Sequence, residues 1–354
     1  MKLDRVFTLL LSLFFVSTVF SQNKSIAPKE KDMSAYLMVY FKDESHGLYM
    51  ALSKDGKSFT DVNNAKPVMN GDTLAEQKGI RDPYIVRGID GLFYMAMTDL
   101  HIFAQKQGIR TTEWERDGEK YGWGNNRGLV LMKSADLIHW SHAVLRVDKA
   151  FPELADIGCA WAPELIYDDK QDKMMIYFTM RFGNGNNKVY YSYLNKDFSA
   201  LETSPKLLFN YPKDLSYIDA DLTKVGNTYH LFYVPHDGAP GIKQMVSDSI
   251  SSGYKYDDKW YDPEPGACEA PNIYKMIGQN SWILIYDIYS INPHNFGFSE
   301  TTDFTNFKNL GHFNEGEMKT TNFASPKHPA VIHLTKKEAD KLRDYWKSGS
   351  KSNR

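Results

Sequence analysis

Three carboxylic residues, each at the start of an apolar stretch, are the strongest sign of chemistry in this chain. They are Asp82 in Arg-Asp-Pro-Tyr-Ile, Asp219 in Ile-Asp-Ala-Asp-Leu and Glu269 in Cys-Glu-Ala-Pro-Asn. Two such groups can hydrolyse a glycosidic bond, because one protonates the leaving oxygen and the other activates water. A third carboxylate beside the acid can orient it and raise its pKa. This chemistry requires a fold that brings three distant positions together.

A repeat along the chain indicates such a fold. Five turn-and-strand units begin in a similar way, and a second, aromatic strand follows each of the first four. Repeats at this scale are typical of a β-propeller, in which the innermost strands begin around one axis. The three acids occupy matching places in the repeat, so we expect them to converge. The units begin at Arg81-Asp82-Pro83, Ala162-Pro163-Glu164, Ile218-Asp219-Ala220, Cys268-Glu269-Ala270 and Lys327-His328-Pro329.

The two ends of the repeat region complete each other. Two strand candidates, Tyr36–Phe41 and Gly47–Ser53, precede the first unit, and only Ala330–Leu334 follows the start of the last. Together they make one blade, which closes the ring and removes free edges. We therefore predict an all-β fold over residues 35–334, a five-bladed β-propeller closed by N- and C-terminal strands. Residues 335–354 should form a short C-terminal helix followed by a tail. Thr335 and Glu338 have the spacing of a capping box at the start of this helix.

The N-terminal segment has the pattern of a signal peptide. Lys2 and Arg5 precede an apolar run from Val6 to Phe20, and Ser21 ends the run. We predict a signal peptide over residues 1–21, an N-terminal extension over residues 22–34, and no membrane span in the mature chain. The location should then be periplasmic or extracellular. The alternative is that the apolar run persists as an uncleaved anchor.

Composition limits the classes of partner. A net charge of -2 gives no broad attraction to nucleic acid, so we expect no nucleic-acid partner. Neither a nucleotide loop nor a metal-ligand spacing such as His-x-x-x-His is present, so no metal site is predicted from the residues. The two cysteines, Cys159 and Cys268, precede inner strands of different units and are expected to be buried thiols. We expect a monomer that binds carbohydrate.

The ordered motifs resemble those of glycoside hydrolase family 43, over about residues 35–334. The resemblance rests on Arg-Asp-Pro at Asp82, Trp-Ala-Pro-Glu at Glu164, Tyr-Ile-Asp at Asp219, Cys-Glu-Ala-Pro at Glu269 and Lys-His-Pro-Ala-Val-Ile at His328. It implies a five-bladed propeller and an inverting mechanism. Asp82 would be the general base, Glu269 the general acid, and Asp219 the carboxylate that tunes and orients the acid.

Further roles follow from the same motifs. His328 matches a histidine near the axis that in some members contacts a central ion or water. We expect that no cofactor is required. The resemblance allows a central calcium ion near His328. Trp161 and Tyr217 could stack on a sugar or pack in the core, and Arg181 could hold a hydroxyl or be an ordinary exposed arginine. The predicted substrate-binding residues are Trp161, Glu164, Arg181, Tyr217 and His328.

The sequence departs from the family pattern in the second and third units. Glu164 stands where the family commonly has Asp, and Ala220 replaces the Pro that usually follows Asp219. Asp221 competes with Asp219 for the tuning role, because alternation along a strand would put both on one face. An insertion from His101 to Arg127, which contains Trp114, Tyr121 and Trp123, is either a binding loop or a cover for the rim.

The resemblance implies an exported inverting glycoside hydrolase that removes terminal pentose, above all α-L-arabinofuranosyl, from plant cell-wall polysaccharide or oligosaccharide. A β-xylosidase or an endo-arabinanase of the same family is the alternative. A retaining fructosidase of a related propeller family is disfavoured, because no Asn-Asp-Pro precedes Asp82. The alternative of another class is a non-catalytic carbohydrate-binding propeller, which a missing acid or base would indicate. All three carboxylates are present.

Overall fold

Short β-rich segments separated by polar turns form five sheets in the part of the chain that the structure describes. The structure, a computed structural model, describes residues 27–110 and 114–349. The predicted signal peptide, residues 1–21, lies outside the described residues. The strands of four sheets follow one another in the chain, and each sheet is a blade of the propeller. The fifth sheet combines both ends of the repeat region, as predicted.

The four continuous blades are antiparallel and have four strands each. Blade 1 contains β4 (Ile80–Arg87), β5 (Phe93–Asp99), β6 (Gly128–Ser134) and β7 (Trp140–Arg146). Blade 2 contains β8 (Ile157–Asp168), β9 (Lys173–Phe182), β10 (Lys188–Tyr193) and β11 (Lys206–Leu207). Blade 3 contains β12 (Tyr217–Val225), β13 (Thr228–Pro235), β14 (Lys243–Ser247) and β15 (Lys255–Tyr256). Blade 4 contains β16 (Glu269–Lys275), β17 (Trp282–Ile288), β18 (Asn295–Thr301) and β19 (Lys308–His312).

The closing blade confirms that the ring is joined by strands from both ends. It contains β1 (Met33–Phe41), β2 (Leu48–Ser53), β3 (Ser58–Asp61), β20 (Lys319–Thr320) and β21 (Lys327–Thr335). β21 is innermost and pairs antiparallel with β1, so that Leu37 lies opposite Ile332. At the outer edge β20 pairs parallel with β3. Hydrogen bonds therefore join the two ends of the repeat region at both edges of this sheet.

Strand β1 shows how the blades pack against each other. Its side chains alternate between two hydrophobic clusters, with Leu37 and Val39 in one and Met38 and Tyr40 in the other. All four are fully buried. A strand covered on both faces reads as a continuous apolar run, which is why Ala35–Phe41 carries no charge.

The predicted C-terminal helix is confirmed, and the described residues form four shorter α-helices in connections. In the capping box of α5, the Thr335 N–H donates to Glu338 Oε2 at 2.8 Å and the Glu338 N–H donates to Thr335 Oγ1 at 3.3 Å. Leu342 is fully buried in the same cluster as β1. The helices are α1 (Gly71–Leu74), α2 (Ala104–Gln107), α3 (Gly118–Tyr121), α4 (Val147–Ala150) and α5 (Lys336–Gly349).

Each inner strand carries the same β-bulge near its start. One residue has a positive φ, and the pairing with the next strand shifts register there. Such bulges redirect side chains and occur beside active sites. A positive φ is strained for residues other than glycine, so the packing must hold these five in place. They are Asp82 (φ 52°), Ala162 (44°), Asp219 (50°), Ala270 (55°) and His328 (48°).

Candidate active site

The five bulges arrange the residues at the axis in three layers. The bulge ring contains the positive-φ residues, all at most 8% exposed, and three members of the outer ring are partly exposed. The bulge ring is Asp82, Ala162, Asp219, Ala270 and His328. The outer ring, one residue earlier, is Arg81, Trp161, Ile218, Glu269 and Lys327. The deep ring, two residues later, is Tyr84, Glu164, Asp221, Asn272 and Ala330.

The three predicted acids are close to one another but do not occupy equivalent positions. Asp82 and Asp219 are bulge residues, whereas Glu269 lies one residue earlier, in the outer ring. The expectation of three matching places was therefore wrong for Glu269. The offset matters chemically, because the Glu269 side chain keeps 24% of its surface exposed while Asp82 keeps 12%. The acid with more access to solvent is the one from the outer ring.

Asp82 is held as an anion. Its Oδ2 accepts a 2.6 Å hydrogen bond from the Thr98 hydroxyl, and its Oδ1 lies 3.2 Å from His328 Nδ1. Burial favours the neutral acid, but the charge and hydrogen bond of His328, the charge of Arg81 and the Thr98 hydroxyl outweigh burial and lower the pKa of Asp82. Asp82 thus meets the main requirement for a general base.

Glu269 is shifted in the opposite direction. Burial raises its pKa to about 7; the charge of Lys327 opposes the rise and that of Asp287 adds to it. Glu269 Oε1 lies 3.8 Å from Lys327 Nζ. A carboxyl group that titrates near neutral pH can hold a proton until a leaving group needs it. Glu269 therefore has the property of a general acid.

A buried charge pair behind Glu269 was not found from the sequence. Lys327 Nζ lies 3.4 Å from Asp287 Oδ2, and Asp287 is fully buried. The other Asp287 oxygen, Oδ1, accepts no hydrogen bond, so this carboxylate depends on Lys327 and on the His328 N–H at 3.3 Å. The available signal was a single acid in the apolar run Trp282–Ile288. Thr98, in β5, was missed as well.

The structure distinguishes Asp219 from Asp221, which the sequence left open. The bulge breaks the alternation, and the pairing register shifts between Ile218 and Asp221. Burial raises the pKa of Asp219 to about 7; His328 opposes the rise, whereas the charges of Glu269 and Asp82 add to it. Asp219 therefore shares its surroundings with the other two acids. Asp221 belongs to the deep ring.

The deep ring forms a closed polar network below the acids. Asp221 accepts hydrogen bonds from the Tyr84 hydroxyl and the Asn272 amide, each at 3.1 Å. Glu164 Oε2 accepts one from the Tyr177 hydroxyl at 2.8 Å. Burial and the charge of Asp221 raise the pKa of Glu164 well above its ordinary value. A neutral Glu164 can then donate to Asp221, which satisfies both buried groups.

Two residues predicted to bind substrate are corrected by their burial. Glu164 is 1% exposed within the deep ring, so its carboxyl group stabilises the axis instead of facing a ligand. Tyr217 is also 1% exposed; its hydroxyl donates to the Phe209 carbonyl at 2.7 Å, and its ring packs on Phe209. Of the two interpretations offered for Tyr217, core packing agrees with the structure.

Arg181 and Trp161 contact the insertion of blade 1. Arg181 is 4% exposed and donates to the carbonyls of Tyr121 and Trp123, so it is neither an exposed arginine nor free to hold a sugar hydroxyl. Its guanidinium carbon lies 4.7 Å from the centre of the Trp161 ring. The partly exposed Trp161 donates to the Gly124 carbonyl at 2.7 Å. Trp161 therefore stays at the mouth of the site, between the axis and the insertion.

His328 pairs with Asp82 at the place where the resemblance allows a central calcium ion. Calcium takes six to eight oxygen ligands, whereas both Asp82 oxygens near His328 already have partners. Burial opposes protonation of His328, but Asp82 raises its pKa to about 9. Among residues 27–110 and 114–349, no group of three or more His, Cys, Asp and Glu side chains is arranged to hold a metal.

Comparisons with known proteins agree on a glycosidase fold. A family model for a probable glycosyl hydrolase domain, related to glycoside hydrolase family 43, matches residues 31–340. The curated α-L-arabinofuranosidase of Bifidobacterium longum subsp. longum is 23% identical over 261 residues, which are 64% of this chain. This chain spans only 22% of that protein's length.

The described helices include none that is long and apolar enough to cross a membrane.

Solved structures with the same fold have low sequence identity to this chain. An α-L-arabinofuranosidase from Clostridium thermocellum has a TM-score of 0.52 at 16% identity, covering 75% of this chain and 83% of its own. An endo-1,4-β-xylanase from Bacteroides thetaiotaomicron has a TM-score of 0.55 at 12% identity, covering 81% and 94%. At such identities the similarity shows the fold alone.

Proposed function

We propose a substrate for this chain on one premise: the chain belongs to the glycosyl hydrolase family related to glycoside hydrolase family 43 and is a glycosidase. The proposal is that it removes terminal α-L-arabinofuranosyl residues from plant polysaccharide or oligosaccharide. The observation that carries the mechanism is the opposite direction of two pKa shifts in one site. The pKa of Asp82 is lowered and that of Glu269 is raised to about 7. One acid is thus ionised while the other holds a proton.

Asp82 acts as the general base. With Oδ2 fixed by Thr98 and Oδ1 by His328, the carboxylate is oriented before a water molecule arrives. It removes a proton from that water as the oxygen attacks the anomeric carbon. Because the attack comes from the side opposite the leaving group, the product sugar has inverted configuration.

Glu269 acts as the general acid. It gives its proton to the glycosidic oxygen as the bond to the anomeric carbon breaks, so that the rest of the substrate leaves as an alcohol. Burial and the charge of Asp287 keep this proton on Glu269, and the neighbouring carboxylate Asp219 orients the group. Afterwards Glu269 is an anion near Lys327, and Asp82 carries the proton from water. Exchange of both protons with solvent restores the starting state.

The choice of pentose rests on the relatives. The curated relative from B. longum and the solved structure from C. thermocellum are both named α-L-arabinofuranosidases. A xylanase from B. thetaiotaomicron has the same fold, so a xylose-containing substrate is the alternative. We also propose that the apolar run from Val6 to Phe20 directs export and is removed, because Lys2 and Arg5 precede it and Ser21 ends it, as in a signal peptide.

A panel of substrates tests this proposal. We expect the highest kcat/KM with 4-nitrophenyl α-L-arabinofuranoside and side-chain arabinose of branched arabinan, and a lower value with 4-nitrophenyl β-D-xyloside. Proton NMR of the first product should show the anomer of inverted configuration. Highest activity on the xyloside would overturn the choice of sugar, retention would overturn the mechanism, and inactivity on every substrate would favour a carbohydrate-binding propeller.

A further inference from the structure

The exposed tryptophan of the blade 1 insertion is held unusually firmly for a surface residue. Trp123 is 66% exposed, the largest exposed fraction among the large apolar side chains of the described residues. An indole ring in water gives up the stabilisation that burial would provide. The backbone on both sides of it is nevertheless fixed by hydrogen bonds and close packing. This combination suggests that the exposure has a function.

The turn Gly122-Trp123-Gly124 requires both of its glycines. Gly122 and Gly124 have positive φ values of 76° and 60°. A Cβ atom on Gly122 would lie 2.9 Å from Arg181 Nη2, and one on Gly124 would lie 2.8 Å from Trp161 Cζ2. No other residue type fits so close an approach without displacing those side chains. The turn is therefore pressed against Arg181 and Trp161.

Two arginines, the buried Arg181 and the partly buried Arg116, fix the same turn to the propeller. Arg181 Nη2 donates to the carbonyls of Tyr121 and Trp123 at 2.8 and 2.5 Å. Arg116 Nη2 donates to the Asn125 carbonyl at 2.7 Å, while its Nη1 donates to Ile157 in β8 at 2.8 Å. Charge-assisted hydrogen bonds to several carbonyls hold a loop in one conformation. Trp123 is thus presented in advance of any ligand.

A short series of contacts connects Trp123 to the base. The rings of Trp123 and Trp161 lie 5.7 Å apart, at 65° to each other. Trp161 precedes Ala162, whose N–H donates to Thr98 Oγ1 at 2.9 Å, and Thr98 in turn holds Asp82. Trp161 belongs to the outer ring, and Trp123 lies beyond it. A sugar stacked on Trp123 would therefore lie beside Trp161, whose neighbour Ala162 is linked to Asp82 through Thr98.

We propose that Trp123 is a stacking platform for a sugar residue of the leaving group, presented by the Gly122-Trp123-Gly124 turn and clamped by Arg181. The inference rests on the proposed function and adds a second subsite to it. The chemistry suits a carbohydrate, because the C–H face of a sugar ring covers an indole ring while its hydroxyls remain in water. Arg181 is a positioning residue in this arrangement.

Comparing a natural and an artificial leaving group tests the platform. For Trp123→Ala we expect kcat/KM on arabino-oligosaccharides to fall about two- to tenfold further than kcat/KM on 4-nitrophenyl α-L-arabinofuranoside, mainly through KM. The nitrophenyl substrate has no second sugar to stack. Trp260→Ala is the matched control, because Trp260 is also exposed, at 40%, but lies between blades 3 and 4. Its ratio of the two constants should equal that of the wild type.

Arg181 provides a second, independent variant. Arg181→Lys keeps the charge but loses the fork that reaches two carbonyls. Its ratio of the two constants should fall with that of Trp123→Ala, and the double variant should lose no more than the worse single one. If Trp123→Ala loses kcat/KM equally on both substrates, the ratio of the two constants stays at its wild-type value, and this result would overturn the platform. Wild-type inactivity on both arabinosides would instead refute the proposed function; calorimetric binding of arabino-oligosaccharides then decides whether Trp123 binds sugar.

Discussion

Asp82 Oδ1 and His328 Nδ1 lie 3.2 Å apart, although the two residues belong to the first blade and the closing blade. Each occupies the bulge of its inner strand with a positive φ. The contact lowers the pKa of Asp82 and, against the effect of burial, raises that of His328 to about 9. The candidate base therefore depends on a residue from the other end of the repeat region.

The first prediction concerns pH and His328. Replacing His328 by Gln removes the positive charge beside Asp82, so the pKa of the base should rise and the acidic limb of the kcat/KM profile should move to higher pH. The measurement is a pH–rate profile on an aryl arabinofuranoside. An acidic limb at the wild-type position would show that His328 does not keep Asp82 ionised.

The same pair should affect folding stability in a defined pH range. The pKa of His328 is raised from 6.5 to about 9, so its contribution is complete below pH 6.5 and is lost as the pH rises through 9. The pKa of Asp82 is lowered from 3.8, so Asp82 contributes to folding stability above pH 3.8. This contribution is lost as the pH falls below that value. The difference in unfolding free energy between wild type and His328→Gln should be largest between these limits. Urea titrations at pH 5.5 and 9.5 should show it; equal differences would contradict the pairing.

The second prediction separates acid from base. Glu269→Ala should lose about 10²–10⁴-fold on a natural oligosaccharide but much less on a dinitrophenyl glycoside, whose leaving group needs no proton. Asp82→Ala should lose activity on both, because water must be activated whatever leaves. Azide should restore part of the Asp82→Ala activity and give a glycosyl azide of inverted configuration. Equal losses of both variants on both substrates would refute the assignment of roles.

The third prediction concerns the charges around the acid. Glu269 is surrounded by Lys327, Asp287, His328 and Arg81, with Asp219 adjacent. Asp287→Asn removes a negative charge and leaves Lys327 unopposed, so the pKa of Glu269 should fall and the basic limb should move to lower pH. Lys327→Met should move the basic limb to higher pH.

Asp219→Asn should also move the basic limb of the pH–rate profile to lower pH, and it should reduce the rate. The effect of Asp287→Asn should be the larger of the two, because the charge of Asp287 is among the main influences that raise the pKa of Glu269. Far-UV circular dichroism checks that each variant is folded. Movement of the limb in the same direction for Asp287→Asn and Lys327→Met would contradict the pairing seen here.

The fourth prediction concerns stability at the closing blade. Glu338 caps α5 through Thr335, and both of its carboxylate oxygens accept hydrogen bonds from Arg87 in blade 1 at 2.8 Å. Glu338→Ala should lower the free energy of unfolding by about 1–2 kcal/mol, measured by urea denaturation. Asp340→Ala on the same helix, which breaks only surface pairs, should lose much less. Equal losses would show that the link to Arg87 adds nothing.

The sequence predicted the propeller and its closure because apolar strands and turn residues are local signals. The convergence of Asp82, Asp219 and Glu269 followed from the repeat. The bulges could not be predicted in the same way, because a positive φ at Asp219 reflects packing around the axis. Alternation therefore failed to separate Asp219 from Asp221.

The errors at the mouth of the site have a related cause. Arg181 could not be interpreted from its neighbours, since its partners Tyr121 and Trp123 lie in the insertion of another blade. Lys327 and Asp287 are likewise brought together by the pairing of blades. Burial at 1% removed Glu164 and Tyr217 from the candidate substrate contacts. Sequence patterns identify which residues reach the axis. They do not show which of these side chains are covered by other residues.

The pairing of β1 with β21 has a consequence for the order of folding. Leu37 must wait for Ile332, so this blade cannot form until almost all of the chain between them is in place. Contacts of such high sequence separation form slowly, whereas each of the other blades can fold from a continuous stretch. Until β21 arrives, the apolar strand β1 has an unpaired edge. Early aggregation of a stalled or truncated chain should therefore begin at residues 35–41.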